Sequence, residues 1–302
     1  MKKVIVLMLL ALIIVASSGC VENQIPELNV NKKEKVETAD VLLIKDVKIV
    51  PEAPIFPDTT VELIITIQNI DDKKSIPYKV ELFNPSIFTI EKSSGTSGEL
   101  LPQGEKVIDF VLKVPKEKVK ITPTVNFRIL YNFSTSTTYD VVVVNMAQIK
   151  QAQLAGKPVS FDIEKSIGSG PIKVDISLKG SSYLIAGQKG VLSIVVQNKG
   201  SGFLKEGKIK KNKLKLTLIN KGINDIESTT KKFEIIKSGS TFSYGYNKDD
   251  IEMMERSTSP ILLKITAPSV DLYKTYTFLA NVSYTYEIRG SKEIPITPLE
   301  IE

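Results

Sequence analysis

Residues 61–69 have the sequence VELIITIQN, and residues 190–198 have the sequence GVLSIVVQN. In both stretches apolar residues recur at every second position. Successive side chains of a strand point to opposite faces of a sheet, so this period predicts a strand with one buried face. Both stretches end in Gln-Asn, at Asn69 and Asn198, an offset of 129 residues. We interpret them as the same strand of a module that occurs twice.

The two-residue period continues along the chain from Val41, and turn residues such as proline separate the apolar runs. Several short strands with turns between them predict antiparallel sheets. A second alignment supports the repeat: Ile129 to Tyr131 matches Val282 to Tyr284 at an offset of 153 residues. The difference of 24 residues places an insertion within 200–256. The predicted fold class is therefore all-β, with two immunoglobulin-like antiparallel β-sandwich domains in tandem after a signal or anchor segment.

The predicted domain organisation has five parts. They are a signal peptide at 1–19, a lipid-attachment cysteine with a flexible polar spacer at 20–40, β-sandwich domain 1 at 41–145, a short helical connector at 146–157, and β-sandwich domain 2 at 158–302. Met146 to Leu154 contains good helix formers and is followed by Gly156, a typical residue after a helix end. A second helix is predicted at Lys248 to Arg256, KDDIEMMER, inside the insertion.

A family resemblance follows from the strand pattern apolar-x-apolar-x-apolar-x-Asn after a turn with Pro or Gly. The matching segments are Ile49 to Asn69 and Tyr183 to Gly200. They resemble the CARDB-type and S-layer-associated immunoglobulin-like modules of archaeal and bacterial surface proteins. The second segment continues Asn-Lys-Gly as such modules do, whereas the first continues Asn-Ile-Asp. The resemblance implies a β-sandwich and a cell-surface setting, but it does not indicate which ligand, if any, is bound.

The N-terminus begins with lysines, continues with an apolar run from Val4 to Ala16 and ends in Ser17-Ser18-Gly19-Cys20. This order is typical of a secretory signal. The segment resembles a lipoprotein lipobox, which implies cleavage before Cys20 and a lipid on that residue. Ser17 stands where bacterial lipoboxes carry Leu, while archaeal ones are looser. Two alternatives stay open: an uncleaved signal-anchor helix, and an ordinary signal with an incidental Cys20.

Composition excludes several functional classes. The chain of 302 residues has no histidine, which rules out imidazole metal ligands and imidazole acid–base catalysis. Without residues 1–19, 38 Lys and Arg remain against 34 Asp and Glu, a balance too mild for a dedicated nucleic-acid binder. Cys20 is the only cysteine, so no intramolecular disulfide can form. The pairs Asp71-Asp72 and Asp249-Asp250 lack metal-ligand spacing, and we interpret them as a turn and a helix start. No catalytic residue, metal or cofactor is predicted.

Two other features are candidate sites. One is a basic run, which either forms an interaction patch for anionic lipid or an acidic envelope polymer, or is the solvated face of an edge strand. Its members are Lys205, Lys208, Lys210, Lys211, Lys213 and Lys215. The other is a pair of N-glycosylation sequons, at Asn132 and Asn281, of which Asn132 lies beside a Ser/Thr-rich predicted turn.

These observations favour a lipoprotein on the extracellular side of the cell membrane, held by a lipid on Cys20. It would act without catalysis, as a structural or interaction module of the cell envelope whose partner is an envelope protein or polysaccharide. The alternative is a ligand- or substrate-binding lipoprotein associated with a transporter, a class that usually has α/β lobes. An envelope hydrolase is disfavoured because the chain shows no site motif.

Overall fold

The computed structural model describes residues 39–156, 161, 163–220, 222–223, 225–239 and 241–298. Nearly every regular element in these ranges is a strand, and the prediction of an all-β sandwich fold is confirmed. The strands are β1 Leu42–Val50, β2 Thr60–Asn69, β3 Ile76–Asn84, β4 Thr89–Ser94, β5 Ser97–Leu100, β6 Glu105–Lys113, β7 Thr124–Val144, β8 Lys165–Ile167, β9 Ile172–Leu178, β10 Tyr183–Ile185, β11 Lys189–Asn198, β12 Phe203–Leu204, β13 Lys208–Ile209, β14 Leu214–Leu218, β15 Asp225–Ser228, β16 Phe233–Ser238, β17 Thr241–Asn247, β18 Ile251–Met254, β19 Ser257–Thr258, β20 Ile261–Thr266 and β21 Tyr273–Glu293. The described helical elements are α1 Met146–Leu154 and a 3-10 turn at Lys205–Gly207.

Each half of the chain contributes a sheet with the same strand order. In the first half, four antiparallel strands lie in the order β1-β2-β6-β4. In the second half, β9-β11-β20-β15 repeat that order within a larger sheet that also contains β13, β18 and β19. The similar stretches 61–69 and 190–198 occupy equivalent strands, β2 and β11. Buried side chains from both halves belong to one continuous hydrophobic cluster.

A ten-stranded sheet joins the two halves. Its central strands β7 and β21 are 21 residues long and pair antiparallel over their whole length, from Thr124 opposite Glu293 to Val144 opposite Tyr273. The sheet continues beyond β7 with β3 and β5, and beyond β21 with β14, β17 and β16. Strands usually have five or six residues. A junction of this length is therefore a major part of the fold.

The ends of the two long strands also pair with segments of the opposite half of the chain. Val143, near the end of β7, pairs in parallel with Leu184 of β10 in the second half. Ile296, just beyond β21, forms a parallel bridge with Ile55 in the first half. The offsets of 129 and 153 residues relate Ile55 to Leu184 and Val143 to Ile296, so the two exchanges are equivalent in the repeat. Each half is thus completed by a segment of the other.

This interlocking bears on the predicted domains at 41–145 and 158–302. The described residues form one compact unit. Two independently folding domains stay a prediction, whereas the shared sheet favours a single cooperative unit.

The folded part also begins earlier than the predicted spacer 20–40 allows. Asp40 is buried and its carboxylate accepts a hydrogen bond from the Ser201 amide at 2.8 Å. Cys20 and the rest of the leader and spacer up to residue 38 lie outside the described residues.

The predicted helix at Met146 to Leu154 is confirmed as α1. Asn145 caps it, since its side chain accepts a hydrogen bond from the Ala147 amide, and Gly156 follows with a φ of +65°. The second predicted helix, Lys248 to Arg256, is wrong: this segment contains β18. Ile251 is buried and Met253 packs on the core while Glu252 is exposed, a two-residue period that the good helix formers concealed.

Two buried tyrosines on the central strands differ in their hydrogen bonds. Tyr131 and Tyr286 are directly opposite each other, with ring centroids 5.5 Å apart. The Tyr286 hydroxyl donates to Asn198 Oδ1 at 2.8 Å, and burial raises the pKa of Tyr286, which keeps that hydroxyl protonated. The Tyr131 hydroxyl has no hydrogen-bond partner within the described residues.

We therefore expect Tyr286→Phe to lower the free energy of unfolding by about 1–2 kcal/mol, because a buried hydrogen bond is lost. Tyr131→Phe removes an unpaired hydroxyl and is expected to change it by less than about 0.5 kcal/mol. Chemical denaturation of both variants beside the wild type measures the difference. Equal costs for the two substitutions would contradict the assignment of the hydrogen bond to Tyr286 alone.

Candidate functional site

The edge of β21 that faces away from β7 is open between two partner strands. β12 pairs with β21 at Tyr286 and Glu287, and β14 pairs with it at residues 278–282. Between them the chain leaves the sheet, passes through β13 and returns at Lys213, whose carbonyl accepts a hydrogen bond from the Ser283 amide. This detour leaves a cleft of about 460 Å³ beside β21, which we call the lysine cleft. It is lined by Asn132, Phe133, Lys205, Glu206, Lys208, Lys210, Lys213, Ser283, Tyr284 and Thr285.

One buried side chain holds the turn that carries these lysines. Asn247, at the end of β17, is fully buried. Its Nδ2 donates to the carbonyls of Lys210 and Asp249 at 2.8 and 2.9 Å. Its Oδ1 accepts a hydrogen bond from the Leu214 amide at 2.8 Å. The turn residue Asn212 has a φ of 63°, a left-handed conformation that Asn tolerates better than most residues. The turn from Lys210 to Leu214 is therefore fixed by the residue facing it.

The lysines of the cleft differ in their ion pairs. Lys208 Nζ lies 3.0 Å from Asp250 Oδ2, and Lys210 pairs with Glu206. The Lys210 hydrogen bond holds the pKa of Glu206 below its usual value, and Lys208 does the same for Asp250. Both carboxylates therefore stay ionised at neutral pH. Lys205 and Lys213 form no ion pair with any described carboxylate, so their charge is available to a ligand.

A second depression lies on the other side of the Lys210–Leu214 turn. It has a volume of about 770 Å³, and we call it the tyrosine hollow. The rings of Tyr244 and Tyr246 lie side by side with centroids 6.0 Å apart, and Lys215 Nζ lies 4.7 Å from the centroid of Tyr244. Gly245 between them faces the core, where an added Cβ would lie 2.5 Å from the Phe233 ring. The lining residues are Lys211, Asn212, Lys215, Glu234, Tyr244, Tyr246, Lys248 and Asp249.

The structure divides the predicted basic run between these two depressions. Lys205, Lys208, Lys210 and Lys213 line the lysine cleft, and Lys211 and Lys215 line the tyrosine hollow. The alternative interpretation as an edge strand does not hold for β14, which lies between β17 and β21, whereas β13 with Lys208 does lie at the edge of the seven-stranded sheet. The β16–β17 hairpin of the insertion covers the edge that β14 would otherwise expose.

The two sequons lie on the central strands. Asn132 is exposed in the middle of β7 and lines the lysine cleft, where its Oδ1 accepts a hydrogen bond from the Thr285 hydroxyl at 2.6 Å. The Ser/Thr-rich stretch that follows it is strand, and the predicted turn there is wrong. Asn281 is half-buried in β21 and donates to the Ser136 hydroxyl. Glycosylation at either residue stays a prediction.

The acidic pairs have structural roles. Asp71 is buried, and its Oδ1 accepts hydrogen bonds from the amides of Lys73 and Lys74, as the predicted turn requires. Burial pushes the pKa of Asp71 up, but these bonds and the Ser169 hydroxyl hold it below its usual value. Asp250 accepts a hydrogen bond from the Lys211 amide before β18 and starts no helix. In the described ranges no group of three or more acidic or cysteine side chains is placed to hold a metal ion.

Sequence reasoning did not identify Tyr244, Tyr246 or Asn247 as site residues. One signal was present: the segment from Phe242 to Asn247 ends in Asn, as do β2 and β11, although Asn247 is out of phase with the aromatic residues of this segment. No helix in the described part of the chain is both long and apolar enough to cross a membrane.

Comparison with known proteins gives no family. No protein-family model matches the chain, and no curated protein matches it. Among solved structures, a protein of unknown function from Porphyromonas gingivalis W83 is 10% identical over 75% of this chain and 83% of that chain, with a TM-score of 0.22.

Two macroglobulin structures also show a distant likeness. Escherichia coli alpha-2-macroglobulin activated by porcine elastase is 7% identical over 85% of this chain and 33% of that one, with a TM-score of 0.19. Salmonella alpha-2-macroglobulin reacted with methylamine is 8% identical over 85% of this chain and 16% of that one, with a TM-score of 0.13. The chain spans a third or less of the length of these two proteins. Likenesses at such scores carry no argument about function.

Proposed function

We propose that this protein is a non-catalytic interaction module of the cell envelope, tethered on the extracellular side of the membrane through a lipid on Cys20. The observation that carries the proposal is the order of the sequence: a charged, apolar and small-residue leader ends in Cys20, and an all-β body follows. In this proposal, the polar segment between them separates the β-sheet body from the membrane surface.

The exposed lysines support the interaction role. The two depressions are open to solvent and basic, which suits contact with an acidic partner in the envelope. The transporter-associated alternative calls for a ligand enclosed between lobes. The lysine cleft and the tyrosine hollow are depressions at the surface, which favours the interaction module.

The anchor is tested by Cys20→Ser, because a serine offers no thiol for lipid attachment. We expect the variant to move from the membrane fraction to the soluble fraction, and the intact mass of the wild-type protein to equal a chain that begins at Cys20 plus lipid. Ser18→Ala is the matched control and is expected to stay with the membrane. If the mass of the wild-type protein instead includes residues 1–19 and no lipid, the lipid anchor is wrong and a signal-anchor helix replaces it.

A further inference from the structure

The lysine cleft and the tyrosine hollow open on the same face of the ten-stranded sheet. Tyr246 is directly opposite Lys215, and Lys215 is directly opposite Asn281. Opposite residues in antiparallel strands point to the same face. Ser283 lies two positions beyond Asn281 on β21 and therefore points to that face as well. The two depressions thus form one surface, separated by the Lys210–Leu214 turn.

This surface is basic, with carboxylates interspersed. Seven lysines line the two depressions against three carboxylates, those of Glu206, Glu234 and Asp249, and Asp250 adds a fourth beside Lys208. An excess of lysine attracts a polyanion over a distance of about 8–10 Å at physiological ionic strength.

The central strands present hydrogen-bonding side chains between the lysines. Asn132, Ser134 and Ser136 of β7 alternate with buried residues, as do Asn281, Ser283 and Thr285 of β21. Amide and hydroxyl groups both donate and accept hydrogen bonds. Sugar hydroxyl groups have the same dual capacity, so they can be satisfied here in many orientations.

The tyrosine pair supplies a flat apolar surface beside these polar groups. Tyr244 and Tyr246 are half-buried, so each ring is partly open to solvent while its position is fixed by the strand. The C–H faces of a sugar ring pack on an aromatic face, which is apolar and carries negative charge density. Lys215 Nζ lies over the Tyr244 ring, so a positive charge adjoins the aromatic surface that the two tyrosines form. A sugar ring bearing a carboxylate or sulfate fits this combination.

We propose that this face, from the lysine cleft to the tyrosine hollow, binds an acidic polysaccharide. The sugar rings pack on Tyr244 and Tyr246, and the acidic groups contact Lys213 and Lys215 near the turn. The proposal rests on the proposed envelope setting for access to such a polymer. A flat bilayer surface fits two recessed depressions poorly, so membrane binding is the competing outcome and not the proposal.

The test is binding of the purified full-length chain in detergent, measured by affinity electrophoresis and calorimetry. The probes are polygalacturonate and chondroitin sulfate, with dextran as the neutral polymer and poly-dT as the nucleic acid. The anionic surface is phosphatidylglycerol vesicles in a separate detergent-free assay, with phosphatidylcholine vesicles as the control for insertion of the Cys20 lipid. We expect both acidic polysaccharides to bind, with affinity that falls as salt rises, and dextran not to bind. Binding to neither acidic polysaccharide overturns the proposal, as does tighter binding to poly-dT, or a preference for phosphatidylglycerol over phosphatidylcholine vesicles that exceeds the preference for acidic polysaccharides over dextran.

Paired variants separate the tyrosine role from general charge. Tyr244→Ala combined with Tyr246→Ala is expected to weaken polysaccharide binding at least tenfold, and so is Lys213→Gln combined with Lys215→Gln. Tyr273→Ala and Lys118→Gln replace exposed residues away from both depressions and are expected to leave binding within twofold of wild type. Unchanged binding in the tyrosine double variant overturns the proposal. The test of the lipid anchor on Cys20 does not depend on any of these results. Failure of the anchor and failure of the polysaccharide-binding face are therefore distinguishable.

Discussion

Asn69→Ala and Asn198→Ala are each expected to lower the midpoint of one common unfolding transition, without splitting it into two. Each substitution is expected to reduce the free energy of unfolding by about 3 kcal/mol, since several buried backbone groups lose their partner. For a chain of this size that corresponds to a decrease in Tm of roughly 6–12 °C. Differential scanning calorimetry measures both the shift and the number of transitions.

The two asparagines have the same structural role in the two halves, because each hydrogen-bonds the turn that follows its strand. Asn69 ends β2, and its Oδ1 accepts a hydrogen bond from the Asp71 amide at 2.9 Å. Its Nδ2 lies 2.8–3.1 Å from the carbonyls of Lys74, Leu100 and Leu101. A single side chain therefore supports the turn after β2 and the end of β5.

Asn198 ends β11 in the same way. Its Oδ1 accepts hydrogen bonds from the Gly200 amide and the Tyr286 hydroxyl, and its Nδ2 donates to the Gly202 carbonyl. Tyr286 lies on β21, the strand shared with the first half. Weakening the turn after β11 therefore acts directly on the sheet that joins the halves.

A single transition is expected because neither half is complete without the other. The paired length of β7 and β21, with the exchanged segments at Leu184 and Ile296, leaves no boundary where one half can unfold alone. Asn84→Ala is the matched control: Asn84 also ends a strand and accepts an amide hydrogen bond, but it is exposed, and its loss is expected to cost less than about 1 kcal/mol. Two resolved transitions, each moved by only one of the variants, would instead establish two tandem domains.

The sequence pattern predicted the fold class because alternation records which side of each strand is buried. It also predicted the equivalent strands β2 and β11 from their shared Gln-Asn ending, and the structure supplies the reason: a buried amide must satisfy the turn that follows. The alternation does not show which strands are neighbours in a sheet. The pairing of β7 with β21 could not be derived, because a strand at an edge and a strand at the centre of a sheet have the same period.

Two wrong predictions have local causes. The polar composition of the Ser/Thr-rich stretch after Asn132 predicts a turn, but Thr135 and Thr137 are buried and the strand continues through them. Threonine is β-branched and favours strands, so its polarity was the weaker signal. In KDDIEMMER, good helix formers outweighed the alternation of Ile251 and Met253. Tertiary pairing with β13 and β19 decided the outcome.

The site was predicted only in part, for a related reason. The lysine run is visible in the sequence because its residues are close together in the chain, whereas Tyr244 and Tyr246 join it through the pairing of β17 with β14. A reader of the sequence sees no relation between Lys215 and Tyr246, which are 31 positions apart and directly opposite in the sheet. Strand-ending asparagines were a usable clue, and Asn247 is the one that matters for the site.

Asn247→Ala is expected to lower the free energy of unfolding by about 3 kcal/mol and to increase the mobility of the Lys210–Leu214 turn. The substitution leaves the carbonyls of Lys210 and Asp249 without their donor and the Leu214 amide without its acceptor. Hydrogen exchange is expected to speed up at the Leu214 amide in particular, at denaturant concentrations far below global unfolding. Binding of acidic polysaccharide is expected to weaken, because Lys213 and Lys215 lose their fixed positions.

Asn247→Asp separates hydrogen bonding from simple filling of space. Aspartate has nearly the same shape and keeps the acceptor for Leu214, but it donates no hydrogen bond and places a buried carboxylate against two carbonyl oxygens. We expect it to destabilise the protein at neutral pH at least as much as alanine does, because an uncompensated buried charge is costly. Protonation gives the carboxyl a donor, so part of the loss is expected to recover as the pH falls toward 4. An aspartate variant as stable as wild type at pH 7 would show that the two hydrogen bonds donated by Asn247 do not hold the Lys210–Leu214 turn, and that packing and the bond from the Leu214 amide are sufficient.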